Sequence, residues 1–294
     1  MRNKSRFPAL VDVLFVCFVL VVLISCRKEV TLTFKKEPKL CFNCILNPEK
    51  KIEADLSLSK ALYSNSSFTT IEGADIKVYE SDSLLGVLQD MGGGKYQMDA
   101  FPRKGKTYQV VVIVEGYPEL KAITKVPGGV PVKYITKAVD VKEKTFEFTV
   151  RICDMPGNNY YWYYGYSEAN GNKYDSGIIS NIYAPFFDDF NKQIEPESKY
   201  GFQYWYMVRI NDQVYDGDTL QWSVVRAKSK IYTSVSKLME VDDNYDKYLK
   251  TTVQMRMLDI DEIPLSEPVQ IYSNIENGYG IFGSCIMHTN KITP

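Results

Sequence analysis

Cysteine and histidine are the residues of this chain whose spacing could support redox, metal or acid–base chemistry. Cys41 and Cys44 form a Cys-x-x-Cys pair, and Cys153 and Cys285 lie far along the sequence. Redox versions of this pair lie at a helix start, and a zinc site would need two further ligands, here from Cys153, Cys285 or His288. The pair instead falls in a strand-like run, where positions 41 and 44 point to opposite faces. A direct bridge is therefore disfavoured, and long-range disulfides or buried thiols are the leading interpretations, ahead of zinc.

Acidic pairs are the second group with suggestive spacing. They are Asp188-Asp189, Asp242-Asp243, and Asp259 with Asp261 and Glu262. None follows the Asp-x-Asp-x-Asp-Gly spacing of a calcium loop, and adjacent acids in a loop usually only solvate it. The sequence has no Gly-x-Ser-x-Gly elbow, Walker loop or His-Glu-x-x-His helix, and His288 is its one histidine. We therefore expect no enzymatic activity, no catalytic residue, no cofactor and no metal; a hydrolase that uses the acidic loops is a remote alternative.

Aromatic residues supply the candidate binding or docking positions. In an extended strand, Tyr161 and Tyr163 share one face of the block at 160–166, and Tyr160, Trp162, Tyr164 and Tyr166 share the other. One face must be core, whereas an exposed second face could bind sugars, peptides or a partner sheet; packing of both faces is the leading interpretation. A predicted long loop and a predicted Asn277-Gly278 type I′ turn complete the candidates, which are Phe186, Phe187, Phe190, Tyr161, Tyr163 and Tyr279.

The first 25 residues have the features of a signal peptide. Arg2, Lys4 and Arg6 precede an apolar run at 13–24, which is too short to span a bilayer as a helix. The run ends in Leu23-Ile24-Ser25-Cys26, which resembles the bacterial lipobox. We therefore predict cleavage before Cys26 and lipidation of this cysteine, which would anchor the domain through burial of acyl methylenes.

Charge excludes one broad class of function. The chain has 35 basic and 36 acidic residues, a net charge of −1. Loss of the leader removes three basic residues and Asp12, leaving 32 and 35 and a net charge of −3. Nucleic-acid binding needs a basic excess for counterion release, so we expect no nucleic-acid partner.

Alternating hydrophobicity dominates the mature sequence and predicts a mainly β protein. After a polar tether at 26–38, seven strand-like runs separated by turn residues predict a β-sandwich at 39–127 of immunoglobulin-like or prealbumin-like type. Pro127-Gly128-Gly129-Val130-Pro131 breaks the pattern and marks a predicted domain boundary. Residues 132–294 are predicted to form a second β-rich domain. Its C-terminal part contains one helix, capped by Asp242 or Asp243, with apolar residues recurring every three or four positions before Pro264.

Several blocks of the mature chain resemble one lipoprotein family. They are the residues after Cys26, the strand opening at Pro38-Lys39-Leu40, Gly73 to Tyr79, Gly94-Lys95-Tyr96, Gly105 to Tyr108, and Ser273 to Gly283. Together they resemble the Bacteroidota outer-membrane lipoprotein family catalogued as domain of unknown function 4249, over nearly the whole mature chain. The Cys41/Cys44 pair does not belong to that pattern. The resemblance implies an anchored, β-rich outer-membrane protein, whose relatives are often encoded beside TonB-dependent receptors, and it supplies no catalytic residue.

These observations lead to one expected function and one alternative. We expect a lipid-anchored, non-enzymatic accessory or ligand-capture partner of a TonB-dependent outer-membrane receptor, with its membrane face left open. The alternative is a structural or adhesive subunit of a surface assembly, recognisable by a polymer or by a strand donated at an exposed sheet edge. The sequence does not indicate whether the ligand is a small molecule or a peptide.

Overall fold

The chain from Pro38 onward forms one compact unit in the computed structural model. The structure describes residues 37–60, 67–140, 145–174, 178–181, 184–188, 192–193, 202–205, 207–227, 232–261 and 270–292. Within these ranges the fold is mainly β with one helix, which confirms the predicted class. No helix in the same ranges is both long and apolar enough to cross a membrane.

The strands of the structure include all seven runs predicted in 39–127. In chain order they are β1 (Leu40–Leu46), β2 (Ile52–Leu58), β3 (Asp75–Glu80), β4 (Ser83–Val87), β5 (Gln89–Asp90), β6 (Lys95–Met98), β7 (Thr107–Ile113), β8 (Leu120–Lys125), β9 (Val132–Asp140), β10 (Thr145–Cys153), β11 (Tyr160–Ala169), β12 (Asn172–Tyr174), β13 (Ile178–Asn181), β14 (Lys192–Gln193), β15 (Phe202–Trp205), β16 (Val208–Asn211), β17 (Thr219–Ala227), β18 (Thr233–Val241) and β19 (Tyr279–Ile292). The helix α1 (Asp243–Asp261) lies between β18 and β19. Among the strands that the sequence pattern did not predict are β9, β18 and β19.

A nine-stranded central sheet extends through the whole unit. Its order is β12-β11-β18-β19-β1-β2-β6-β5, and β16 also pairs with β11. At its middle, β1 runs parallel to β19, with Cys44 opposite Phe282. Strands from the two ends of the sequence therefore share one sheet.

Two smaller sheets cover one face of the central sheet. The first cover sheet has the order β4-β3-β7-β8 and encloses a core that contains Phe42, Tyr96 and Val112. The second cover sheet has the order β14-β15-β13-β17-β10-β9 and encloses a core that contains Tyr163 and Trp222. Phe282 packs in the first core and Ile292 against the second. Because Phe282 and Ile292 are an even number of residues apart in β19, their side chains point to the same face. Both covers therefore lie on that face of the central sheet.

Helix α1 covers the opposite face. Leu249 and Val253, one turn apart, pack on Trp162, Met239 and Cys285. Asp242 lies immediately before the helix and accepts hydrogen bonds from the amides of residues 244 and 245, as a capping residue does. The predicted helix and its Asp242 cap are therefore present.

The predicted boundary at 127–131 separates the two cover sheets but does not divide the central sheet. The first cover ends before it and the second begins after it, whereas the central sheet contains strands from both sides. The division into domains at 39–127 and 132–294 stays a prediction about independent folding, which strand pairing does not decide.

Glycines allow the close approach of β19 to β1. Gly280 has φ +107°, and a Cβ built on it would lie 2.0 Å from the carbonyl oxygen of Phe42. A Cβ on Gly278 would lie 2.8 Å from the carbonyl oxygen of Leu40. Asn277 has φ +62°, whereas Gly278 is outside the positive-φ region, so the predicted type I′ turn is wrong. The segment leads into a parallel pairing with β1 and does not form a hairpin.

A buried ionic network joins α1 to the central sheet. The Arg209 guanidinium donates to both carboxylate oxygens of Asp246 at 2.8 Å, and the Trp162 indole donates to the same carboxylate at 2.8 Å. Arg209 also donates to Asp188 at 2.9 Å. Side chains this deeply buried must retain their partners, because an isolated buried charge is strongly unfavourable.

Replacing Arg209 tests the importance of that network. We expect Arg209→Met to lower the free energy of unfolding by about 3–5 kcal/mol, because the Asp246 carboxylate would stay buried without its cation. The control Lys247→Ala, which removes the exposed Lys247–Asp243 pair, should change it by less than about 1 kcal/mol. Urea unfolding curves provide the measurement, and equal effects of the two variants would contradict this interpretation.

Candidate functional site

A cleft of about 640 Å³ lies where the first cover sheet ends. It is lined by Thr107 and by residues 123–128, 158–160 and 240–244, which belong to β7, β8, the start of β11, the end of β18 and the start of α1. This volume is in the range of small-molecule sites. We call it the seam cleft, because the linker between the two covers forms part of its wall.

Asp242 fixes the floor of the seam cleft. One carboxylate oxygen accepts the backbone N–H of Ser284 at 2.7 Å, and the other accepts the Thr124 hydroxyl at 2.8 Å. The Ser284 hydroxyl donates to the carbonyl oxygen of Lys125 at 3.0 Å. Asp242 thus connects β8, β19 and the N-terminus of α1. Burial raises the pKa of this carboxyl, although the hydrogen bonds that it accepts act in the opposite direction.

Glu240 holds the linker in the same way. Its carboxylate accepts the backbone N–H groups of Gly129 at 3.1 Å and Val130 at 2.9 Å, and only 2% of the residue is exposed. Burial raises its pKa, against the two amides and the charge of Lys104, which lower it. Buried Glu240 and half-buried Asp242 therefore both have structural partners.

Exposed polar groups surround the mouth of the cleft. Asn158, Thr107, Lys125 and Asp243 are exposed. The Tyr160 hydroxyl donates to Asp243 at 3.1 Å. The amide side chain of Asn244 is already used, because it donates to the carbonyl oxygen of Ile123 and accepts from Tyr272. The arrangement can offer amide, hydroxyl and carboxylate groups to a polar ligand.

The structure places Tyr161 and Tyr163 in the core. Both are fully buried, and they face the second cover sheet. The Tyr161 hydroxyl donates to Asp154 at 2.5 Å, which together with burial raises its pKa, and the Tyr163 hydroxyl donates to Ser236 at 3.1 Å. Their proposed docking role requires exposed rings, so we correct it. The opposite face is covered as well, because α1 packs on Trp162.

Phe186 and Phe187 are also buried, at 8% and 4% exposure. Their rings lie edge to face at 5.3 Å, and both contact Trp222. Phe187 also bridges to Ile210. The expectation that these two rings are exposed for docking is therefore wrong, because they complete the second core. Phe190 lies outside the described residues.

Tyr279 remains accessible among the candidate residues. It is half-buried at the start of β19, and the Lys39 ammonium lies 5.5 Å from its ring centroid. It lies opposite Cys41, at the far end of β1 from the seam cleft. The predicted lipidation site, Cys26, lies outside the described residues.

The four mature cysteines with described positions are present as thiols. Cys44 and Cys285 are buried, Cys41 is half-buried and Cys153 is exposed. Burial raises the pKa of Cys44 to about 12 and that of Cys285 to about 11, so neither is a reactive thiolate at neutral pH. Among the described residues, no three acidic, cysteine or histidine side chains form a group that could hold a metal.

Sequence analysis missed the acid and the amide that define the cleft. Glu240 stands between Met239 and Val241 in an apolar strand, and an acid in such a position indicates a buried partner. Asn158 had no distinguishing signal, because an asparagine after Gly157 is common turn chemistry. Only the tertiary structure places this turn beside the end of β8.

Comparison with known protein families identifies the family of this chain. The family described as Domain of unknown function (DUF4249) matches residues 27–291. This chain belongs to that family. The predicted DUF4249 resemblance is therefore confirmed, whereas the association with Bacteroidota stays an expectation.

Other comparisons add little to the DUF4249 assignment. None of the curated proteins matches the sequence. A crystal structure described as "Putative membrane anchored protein from Corynebacterium diphtheriae" is similar at 11% identity, covering 69% of this chain and 54% of that chain, with a TM-score of 0.22. The DUF4249 chain thus spans about half the length of that protein, and so low a score supports no functional argument.

The raised pKa of Glu240 gives a pH-dependent prediction. The Glu240 carboxyl stays protonated to higher pH in the folded chain than in the unfolded chain. Glu240 therefore makes the free energy of unfolding fall as pH rises from 4.5, the ordinary glutamate pKa, to its raised pKa in the folded chain. We expect Glu240→Gln to show a shallower fall over that interval. The control Asp99→Asn removes an acid whose side chain is 80% exposed and should run parallel to the wild type. Urea unfolding at a series of pH values is the measurement, and a Glu240→Gln curve parallel to the wild type would refute the assignment.

Proposed function

We propose that this chain is a lipid-anchored, non-enzymatic ligand-capture protein of the cell envelope, acting as an accessory to a TonB-dependent outer-membrane receptor. The seam cleft is the observation that carries the proposal. It is an open cavity of ligand size, and its acids Glu240 and Asp242 already accept hydrogen bonds from backbone and hydroxyl donors. Binding suits such fixed groups better than proton transfer, which requires a group free to exchange its proton with a substrate.

Charge narrows the ligand class within this proposal. The cleft is lined by three acids, Glu240, Asp242 and Asp243, and by Lys125. The Lys104 ammonium lies beside Gly129 of the linker. This balance disfavours anionic ligands, because they would meet like charges in a partly desolvated site. We therefore propose a neutral or cationic polar ligand, recognised by hydroxyl and amide groups at the mouth.

The anchor and the receptor are supported by the sequence. The lipobox ending at Cys26 supports attachment to a membrane, and family membership supports a shared architecture over residues 27–291. The receptor and the outer membrane rest on the family resemblance described above.

A surface-assembly subunit remains the second candidate, because one cover sheet has an exposed apolar edge. In β4, Leu84 and Val87 are exposed, and the other side of this strand pairs with β3. The register of β4 against β3 shifts between Val78 and Tyr79, as at a β-bulge. Bulges discourage strand addition, so this edge supports polymerisation less well than the seam cleft supports capture.

Mutation of Cys26 tests the anchor. We expect the mature wild-type chain to begin at an acylated Cys26, and Cys26→Ser to remain unacylated with its leader attached, because the modified sulfur is absent. Cys17→Ser, which changes a cysteine inside the leader, is the matched control and should be processed normally. Intact-mass spectrometry of envelope fractions gives the answer; an unacylated wild-type product would end the proposal.

Blocking the cleft tests capture. The tagged chain is purified from detergent-solubilised envelopes, and both the TonB-dependent receptor and the bound ligand are analysed. We expect Asn158→Trp to reduce recovery of the bound ligand, because the indole would fill the cleft mouth. Gln89→Trp adds the same side chain at an exposed position on β5, the far edge of the central sheet, and should leave recovery unchanged. Quantitative mass spectrometry compares the two. Absence of any such receptor from the wild-type sample would count against the accessory role, and equal recovery of the ligand with both variants would count against the cleft.

A further inference from the structure

We propose that the end of the unit at which the chain enters β1 rests on a lipid surface. The contact would be made by the exposed side chains of Phe68, Met91 and Ile113, flanked by Lys39 and Lys60. We call this surface the tether end; it comprises Lys39, Lys60 and residues 67–73, 91–94 and 113–119. The inference rests on the proposed lipid anchor and adds an orientation to it.

Backbone contacts bring the first two loops of the tether end together. The N–H of Leu58, which pairs with Leu40 at the start of β1, donates to the carbonyl oxygen of Thr69, next to Phe68. Asp90 accepts the N–H groups of Gly73 at 2.6 Å and Gly92 at 2.8 Å. The loop that carries Met91 is thereby held against the segment that follows Phe68.

The third loop reaches the same end through β7 and β8. Ile113, the last residue of β7, pairs with Asp75 near the start of β3, two residues after Gly73. A Cβ built on Gly278 would lie 2.9 Å from the side chain of Leu120 and 2.8 Å from the carbonyl oxygen of Leu40. The β7–β8 connection therefore lies beside the chain entry point.

Three apolar side chains project from these loops. Phe68 is 58% exposed, Met91 60% and Ile113 40%. Single exposed apolar residues need no explanation, but these three lie on separate loops that converge at one end. Insertion of such loop tips into the headgroup boundary would remove them from water without any rearrangement of the fold.

Basic and aromatic groups at this end suit a membrane interface. The Lys60 ammonium lies 4.7 Å from the ring centroid of Phe68, and that of Lys39 lies 5.5 Å from the ring centroid of Tyr279. Lysine beside aromatic rings is the composition of interfacial segments, where ammonium groups meet lipid phosphates. Among the nearby acids, Glu72 and Asp90 accept backbone amides, and Glu119 pairs with Lys121 at 2.7 Å. Glu115 is exposed at the same end.

Chain length argues for lipid as the occupant. Residues 27–37 separate the proposed lipidated Cys26 from the start of the compact unit at Pro38. Eleven residues reach at most about 40 Å when fully extended. The entry point is therefore held within that distance of the bilayer, so the end that carries it is the surface most often presented to lipid headgroups.

Lipid quenching of an introduced tryptophan tests the contact on the full lipidated chain. The protein is reconstituted into vesicles of phosphatidylethanolamine and phosphatidylglycerol that contain brominated phosphatidylcholine, a quencher in the acyl region. Each of the variants Phe68→Trp, Met91→Trp and Ile113→Trp adds tryptophan fluorescence to that of the wild type. We expect the brominated lipid to quench this added fluorescence. Val214→Trp is the control. Val214 is exposed and lies in the β16–β17 connection, which is outside the tether end and donates the Gly217 N–H to Asp154, just after β10.

Flotation of the same vesicles distinguishes failure of the lipid anchor from failure of the docking surface alone. Wild-type protein that does not float with the vesicles would overturn the lipid anchor and with it this inference. Protein that floats but shows equal fluorescence for the tether-end and Val214 variants would overturn the docking surface alone. Selective loss at the tether end, reduced when Lys39 and Lys60 are both changed to glutamate, would support it.

Discussion

The parallel pairing of β1 with β19 is the constraint on which the rest of the fold depends. It joins strands separated by more than two hundred residues, so loop closure opposes it until both cores are packed. Gly280 makes it sterically possible, because any Cβ there would collide with the carbonyl oxygen of Phe42. Once formed, the pairing makes one sheet support two covers, and it directs β19 beneath the linker that joins them.

The seam between the covers is polar for a structural reason. The linker at 127–131 passes over the central sheet with backbone N–H groups that would otherwise be buried without acceptors. Glu240 satisfies two of them, and Asp242 does the same for Ser284 and for the first turn of α1. A gap lined by anchored acids is therefore a consequence of packing two covers side by side, and the seam cleft is the space that remains beside them.

Much of the fold follows from sequence, because strand period and cap chemistry are local. The alternation in Thr145 to Ile152 and the Asp242 cap are signals that a short window contains. The exposure of an aromatic residue is not local: Tyr161 and Tyr163 become core only because the second cover lies on them, and Phe186 and Phe187 only because their loop folds onto Trp222. The candidate docking residues were therefore the least predictable part, and the cleft, built from four distant segments, was not predictable.

The buried groups divide the molecule into a rigid part and an accessible part. Arg209 with Asp246 fixes α1 on the central sheet, and Asp242 fixes the start of the same helix under the end of β8. The cleft wall is thus held from two directions, so little conformational freedom would be lost when a ligand binds. The side chains of Asn158, Thr107 and Asp243 take no part in these buried contacts and are exposed. In this fold, specificity would come from the mouth residues, whereas Glu240 and Asp242 would keep the cleft open. Mouth residues could therefore change without loss of the fold.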